Sequence, residues 1–87
     1  HLDRMAAEGV RFTEFYTPMP FCAPSRSSLL TGRYPFRTGM TGNPAPDAGL
    51  NFGMPTSEIT LAQALKKQGY ATLCIGKWHL GHTGEFL

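Results

Sequence analysis

The stretch Thr60-Leu61-Ala62-Gln63-Ala64-Leu65-Lys66-Lys67-Gln68-Gly69-Tyr70-Ala71-Thr72-Leu73-Cys74-Ile75-Gly76-Lys77-Trp78-His79 decides the fold class. Thr60 followed three residues later by Gln63 is a capping-box pattern, in which each side chain satisfies a free backbone N–H of the other. Leu61, Ala64 and Leu65 then share one helical face, Lys66 and Lys67 suit the negative end of the helix dipole, and Gly69 stops the helix. Tyr70 to Ile75 is a continuous apolar run of strand length. A helix leading at once into such a run predicts an α/β fold with a buried parallel strand. Lys77 and His79 follow directly, and ligand sites of open α/β sheets gather at the carboxyl ends of strands. Residues i and i+2 of an extended chain share a face, so Lys77 and His79 are expected to reach one site while Trp78 turns away to pack. Cys74, inside the apolar run, is expected in the core.

Upstream, Cys22-Ala23-Pro24-Ser25-Arg26-Ser27-Ser28-Leu29-Leu30-Thr31-Gly32 reads as a short helix. Pro24 fits its first turn and Gly32 its stop. Cys22 then lies at or just before the helix N-terminus, where unpaired N–H groups and a partial positive charge favour an anion. Arg26, one turn on, adds a planar fork of donors suited to a tetrahedral oxyanion. A thiol in this setting can serve as a nucleophile. Ser25 is expected to cap the helix start. Leu2 to Glu8 reads as helix ending at Gly9, Val10 to Tyr16 as a short strand, and Phe12, Phe15 and Tyr16 as core packing. Residues 33–56, rich in proline and glycine, form a long irregular segment.

Composition narrows the class. The 87 residues allow one small domain, and a chain this short buries only about 60–65% of its unfolded surface. At 41% hydrophobic and 16% charged it is too apolar for a disordered tail. A net charge of +2 with no run of Lys or Arg gives no nucleic-acid footprint. No apolar run reaches the ~18 residues that span a membrane. Two cysteines are too few for a disulfide framework or a four-ligand zinc site. The chain starts at His1 without a basic-then-apolar leader and stops at Leu87, just after a strongly patterned segment. Both ends are therefore expected to be cuts, with residues 1–87 an internal part of a larger catalytic domain.

Cys22-Ala23-Pro24-Ser25-Arg26 with Leu30-Thr31-Gly32-Arg33, and Gly69-Tyr70-Ala71-Thr72 with Gly76-Lys77-Trp78-His79, resemble the two signature segments of type I sulfatases. The flanks Leu2 to Gly9, Phe12-Thr13, Phe15-Tyr16 and Leu80-Gly81 resemble arylsulfatases too. Two ordered motifs about fifty residues apart are far more specific than a lone glycine pattern. The resemblance implies an alkaline-phosphatase-like α/β architecture and sulfuric ester hydrolysis. It implies that a formylglycine-generating enzyme oxidises Cys22 to Cα-formylglycine, one hydroxyl of whose hydrate attacks sulfur as the alcohol leaves. A second hydroxyl on the same carbon then expels sulfate, an elimination that a serine sulfate would lack. By the same resemblance Arg26 holds the hydrate, Lys77 contacts sulfate and nucleophile, and His79 assists proton transfer. A calcium ion is implied, bound by the modified Cys22 and by acidic ligands outside this window. Asp3 and Asp47 match none of those ligand positions.

Each residue also has a plainer reading: a buried thiol for Cys22, a surface charge for Arg26, a solvated loop pair for Lys77 and His79. Their places within two motifs favour the site. His82 reads as a loop residue, and Arg33 and Arg37 as solvated or structural. Two other functions stay open: a formylglycine-dependent phosphonate or phosphate ester hydrolase, and a non-catalytic truncated remnant. The segment alone is expected to be inactive. Secretory, lysosomal or bacterial periplasmic settings are implied by resemblance, and the particular sulfate ester is not.

Overall fold

The computed structural model describes residues 1–44 and 52–86. Asp47, within the proline-rich segment, lies outside the described residues. The described elements are four helices, α1 (Leu2–Glu8), α2 (Cys22–Thr31), α3 (Pro35–Thr38) and α4 (Leu61–Lys67), followed by a 3-10 turn at Gly84–Phe86.

The local signals for helices hold. Gly32 closes α2 in the left-handed conformation at φ 68°, its N–H donating to the Ser28 carbonyl, a position glycine fills without a Cβ penalty. Thr60 and Gln63 form the complete capping box at the start of α4. Pro35 opens α3, so the irregular stretch contains one short helix that its composition did not announce.

Packing centres on α2. Ala23, Met40, Met54 and Leu80 are buried in one cluster, with Leu30, Phe52 and Trp78 packed against it. The hydroxyls of Ser27 and Thr38 meet at 3.1 Å between α2 and α3. Arg33, just past α2, donates from Nη1 to both carboxylate oxygens of Glu58 at 3.0 and 3.1 Å. The Met54 N–H donates to the Leu80 carbonyl at 2.8 Å, and the Trp78 Nε1–H donates to the Phe86 carbonyl at 2.6 Å. Gly53 and Gly81 flank Phe86 so closely that a Cβ on Gly53 would meet the Phe86 Cγ at 2.7 Å and the Leu80 carbonyl oxygen at 2.8 Å. Residues 78–86 are thereby fastened to 52–54 and to the helix that carries Cys22.

Several sequence expectations are corrected. The described residues contain no β-strand. The run 70–75 is irregular rather than a buried strand, and Leu73 and Ile75 are 84% and 87% exposed. Cys74 is exposed, not in the core. Val10 to Tyr16 is not a strand either. Phe12, Phe15 and Tyr16 are exposed, with the centroids of the two phenylalanine rings 5.9 Å apart. The reason is common to all. A strand exists only where a neighbour pairs its backbone, and an apolar run is buried only where another element covers it. The areas agree: a compact chain of 9.5 kDa exposes about 5,000 Å², whereas this one exposes 6999 Å². Its Cα radius of gyration is 14.7 Å, against about 12 Å expected for its length.

Candidate active site

Cys22 is the first residue of α2 and is half-buried. In a helix the Cα–Cβ bond tilts toward the N-terminus, so the side chain leans off the helix start. The N-cap residue is Phe21, which has no acceptor side chain. Pro24 sits in the first turn, where its missing N–H would have lacked a partner in any case. Ser25 does not cap, contrary to the sequence expectation. Its hydroxyl donates backwards to the Met19 carbonyl at 2.6 Å, fixing the chain that enters the helix. The acceptor at the helix start comes from elsewhere: the Ala23 N–H donates to Oδ1 of Asn43 at 2.9 Å. Sequence reasoning missed Asn43, because Gly42-Asn43-Pro44 carries only a turn signal and its partner lies 20 residues away.

Lys77 reaches Cys22 across 55 residues of chain, with Nζ 3.5 Å from Sγ. Arg26 holds the Lys77 segment in place by donating from Nη1 to the Lys77 carbonyl oxygen at 2.5 Å. The two motifs are therefore joined twice, once through each cation. The buried Leu80 explains how. It lies in the same cluster as Ala23, so the core contact next to Cys22 also seats the chain just beyond Lys77.

His79 takes a left-handed backbone at φ 58°, uncommon for a residue with a Cβ and costing of order 1 kcal/mol. The expected i, i+2 alignment with Lys77 assumed extended backbone and does not carry over to this conformation. His79 is half-buried, and its Nδ1 is buried with no hydrogen-bond partner among the described residues. Trp78 is half-buried against the core, turned to the Phe86 carbonyl as noted. Arg33 is structural, paired with Glu58, and His82 is an exposed loop residue.

The donor set decides what could be bound. Calcium takes six to eight oxygen ligands, mostly carboxylate and carbonyl. Among the described residues no three His, Cys, Asp or Glu side chains come together. These residues do not by themselves fit a calcium site. No helix among them is long and apolar enough to cross a membrane.

A sulfur at a helix start, faced by an ammonium and set beside a guanidinium, gathers positive charge of the kind that favours an anionic group. The sulfatase family model matches residues 1–86, and the chain belongs to the sulfatase family. It is 51% identical to arylsulfatase G of Mus musculus over 99% of this chain and 16% of that protein. It is 51% identical to steryl-sulfatase of Mus musculus over 93% of this chain and 14% of that protein. It is 47% identical to N-acetylgalactosamine-6-sulfatase of Homo sapiens over 99% of this chain and 18% of that protein. The chain thus spans under a fifth of these relatives. The family implies the alkaline-phosphatase-like α/β fold, of which the described residues contribute helices and irregular segments.

Proposed function

We propose that these residues form the nucleophile-bearing part of a sulfuric ester hydrolase, and that Cys22 is the precursor of its nucleophile. The observation that carries this reading is the 3.5 Å approach of Lys77 Nζ to Cys22 Sγ, across 55 residues, at the start of a capped helix. Sulfatase names throughout the relatives above favour sulfate over phosphonate or phosphate esters.

Oxidised by a formylglycine-generating enzyme, position 22 supplies an aldehyde hydrate as nucleophile. The rest is done by residues of this chain. Lys77 offers an ammonium, at the place now contacting Sγ, to the charge that gathers on the sulfate oxygens. Arg26, one turn along α2, orients the Lys77 segment and supplies a fixed positive charge. His79 brings an imidazole to the same segment, as the group that assists deprotonation of the hydrate or the later elimination. The positive end of the α2 dipole adds a further favourable field for an anion at position 22. Calcium, implied by family resemblance, belongs to carboxylates that the described residues lack, and no step above runs through it. The isolated 87-residue chain is expected to be inactive for the same reason.

Mass spectrometry of the Cys22 peptide, from the whole protein made with a competent modifying enzyme, tests the reading. The expected result is loss of the thiol and an aldehyde that reacts with hydrazide reagents. A peptide that keeps only free thiol would overturn the mechanism.

A further inference from the structure

We infer that Asn43 is a positioning residue for the nucleophile, acting through the first turn of α2; this rests on the function proposed above. The helix has a free N-terminal turn and an N-cap residue, Phe21, without a polar side chain. Asn43 supplies the missing acceptor, its Oδ1 taking the Ala23 N–H at 2.9 Å. Ala23 is fully buried and adjoins Cys22 in sequence. The loop that carries Asn43 is itself fixed, because Met40 is fully buried in the cluster that holds Ala23, and Pro44 is buried immediately after it. Asn43, itself exposed, therefore ties the residue next to the nucleophile to a segment held by the buried Met40 and Pro44.

The effect on chemistry follows from tolerance. The Lys77 contact with Cys22 sets Nζ 3.5 Å from Sγ, within hydrogen-bond reach of sulfur. A first turn that frays by even one ångström breaks it, and misplacement on that scale costs far more than its distance suggests. The choice of amide over carboxylate is also informative. Asparagine and aspartate cap equally well, yet aspartate would place a negative charge one residue from a centre that receives an anion. Asn43 gives the acceptor without the charge.

The test uses the whole protein, produced with the modifying enzyme, and a chromogenic aryl sulfate. Rates are expressed per mole of aldehyde. Asn43→Ala is expected to lower kcat about fivefold or more, from about 1 kcal/mol of lost capping. Asn43→Asp is expected to keep kcat within about twofold while raising KM through charge repulsion. Should Asn43→Ala not fold, Asn43→Ser, with its shorter hydroxyl acceptor, is expected to show an intermediate kcat. A fall in thermal stability with kcat per aldehyde unchanged would overturn the inference and leave Asn43 a structural cap. A wild-type protein that carries the aldehyde and cleaves no sulfate ester would instead overturn the proposed function, and this inference with it.

Discussion

Replacing Arg26 by alanine is the sharpest perturbation that the geometry offers. Its guanidinium reaches over 51 residues to the Lys77 carbonyl oxygen. A hydrogen bond with one charged partner contributes about 1.5–3 kcal/mol, and exposure places this one at about 1.5 kcal/mol. At 1.36 kcal/mol per factor of ten, losing it lowers the equilibrium constant for the assembled arrangement about tenfold. Arg26→Ala in the whole protein should therefore reduce kcat/KM for an aryl sulfate by at least about tenfold, with further loss from the missing positive charge. Arg26→Lys keeps a charge but loses the planar fork, so its activity should fall between the two. Rates must be normalised to aldehyde content, because the substitution lies inside the motif read by the modifying enzyme. Limited trypsin digestion gives an independent readout. The peptide bond after Lys77 should be cut faster in Arg26→Ala, since the segment is no longer held. Activity within threefold of wild type, together with unchanged cleavage at Lys77, would refute the reasoning.

Cys22→Ser should yield a protein that retains covalent sulfate, visible by mass spectrometry, because a serine sulfate has no second hydroxyl to expel it; steady turnover would contradict this. Gly81→Ala should destabilise the protein by about 1–3 kcal/mol, since Gly81 sits at φ 137° and a Cβ there would overlap the Phe86 ring; thermal unfolding measures it. Arg33→Ala should cost more stability than Glu58→Ala. The Glu58 side chain is only 10% exposed and would lose its partner in a near-buried setting, whereas the Arg33 side chain is 47% exposed and can turn to water. Equal effects in denaturant titrations would argue against that asymmetry. Thr60→Ala should weaken α4 by about 1 kcal/mol through loss of its cap, readable as faster amide exchange at Gln63, whose N–H donates to the Thr60 hydroxyl.

Helices were legible in the sequence because their signals are local. Gly32 and the Thr60/Gln63 pair each act within a turn or so of their own position, and both appear as read. Strands were not, because a strand is a relation between segments. Tyr70 to Ile75 has the composition of a buried strand, but its composition cannot supply the neighbour that would pair with it. The site divides in the same way. Cys22, Arg26 and Lys77 were found from motifs, and the structure brings them together. His79 was singled out from the same motif, but its backbone is not the extended one expected, since nothing in Trp78-His79-Leu80 announces a positive φ. Asn43 escaped, because a cap donated from 20 residues away leaves no pattern around the helix it closes.

The oxygen that Arg26 grips belongs to the peptide backbone, and every amino acid brings one. The fastening is therefore indifferent to what hangs from position 77. An amine can be exchanged there for a methyl or an amide while the strap stays buckled, so Lys77 variants should report on the ammonium itself, its charge and its reach to Cys22 together. Swapping the arginine, by contrast, undoes anchorage and polarity in a single stroke, and its phenotype will always blend the two.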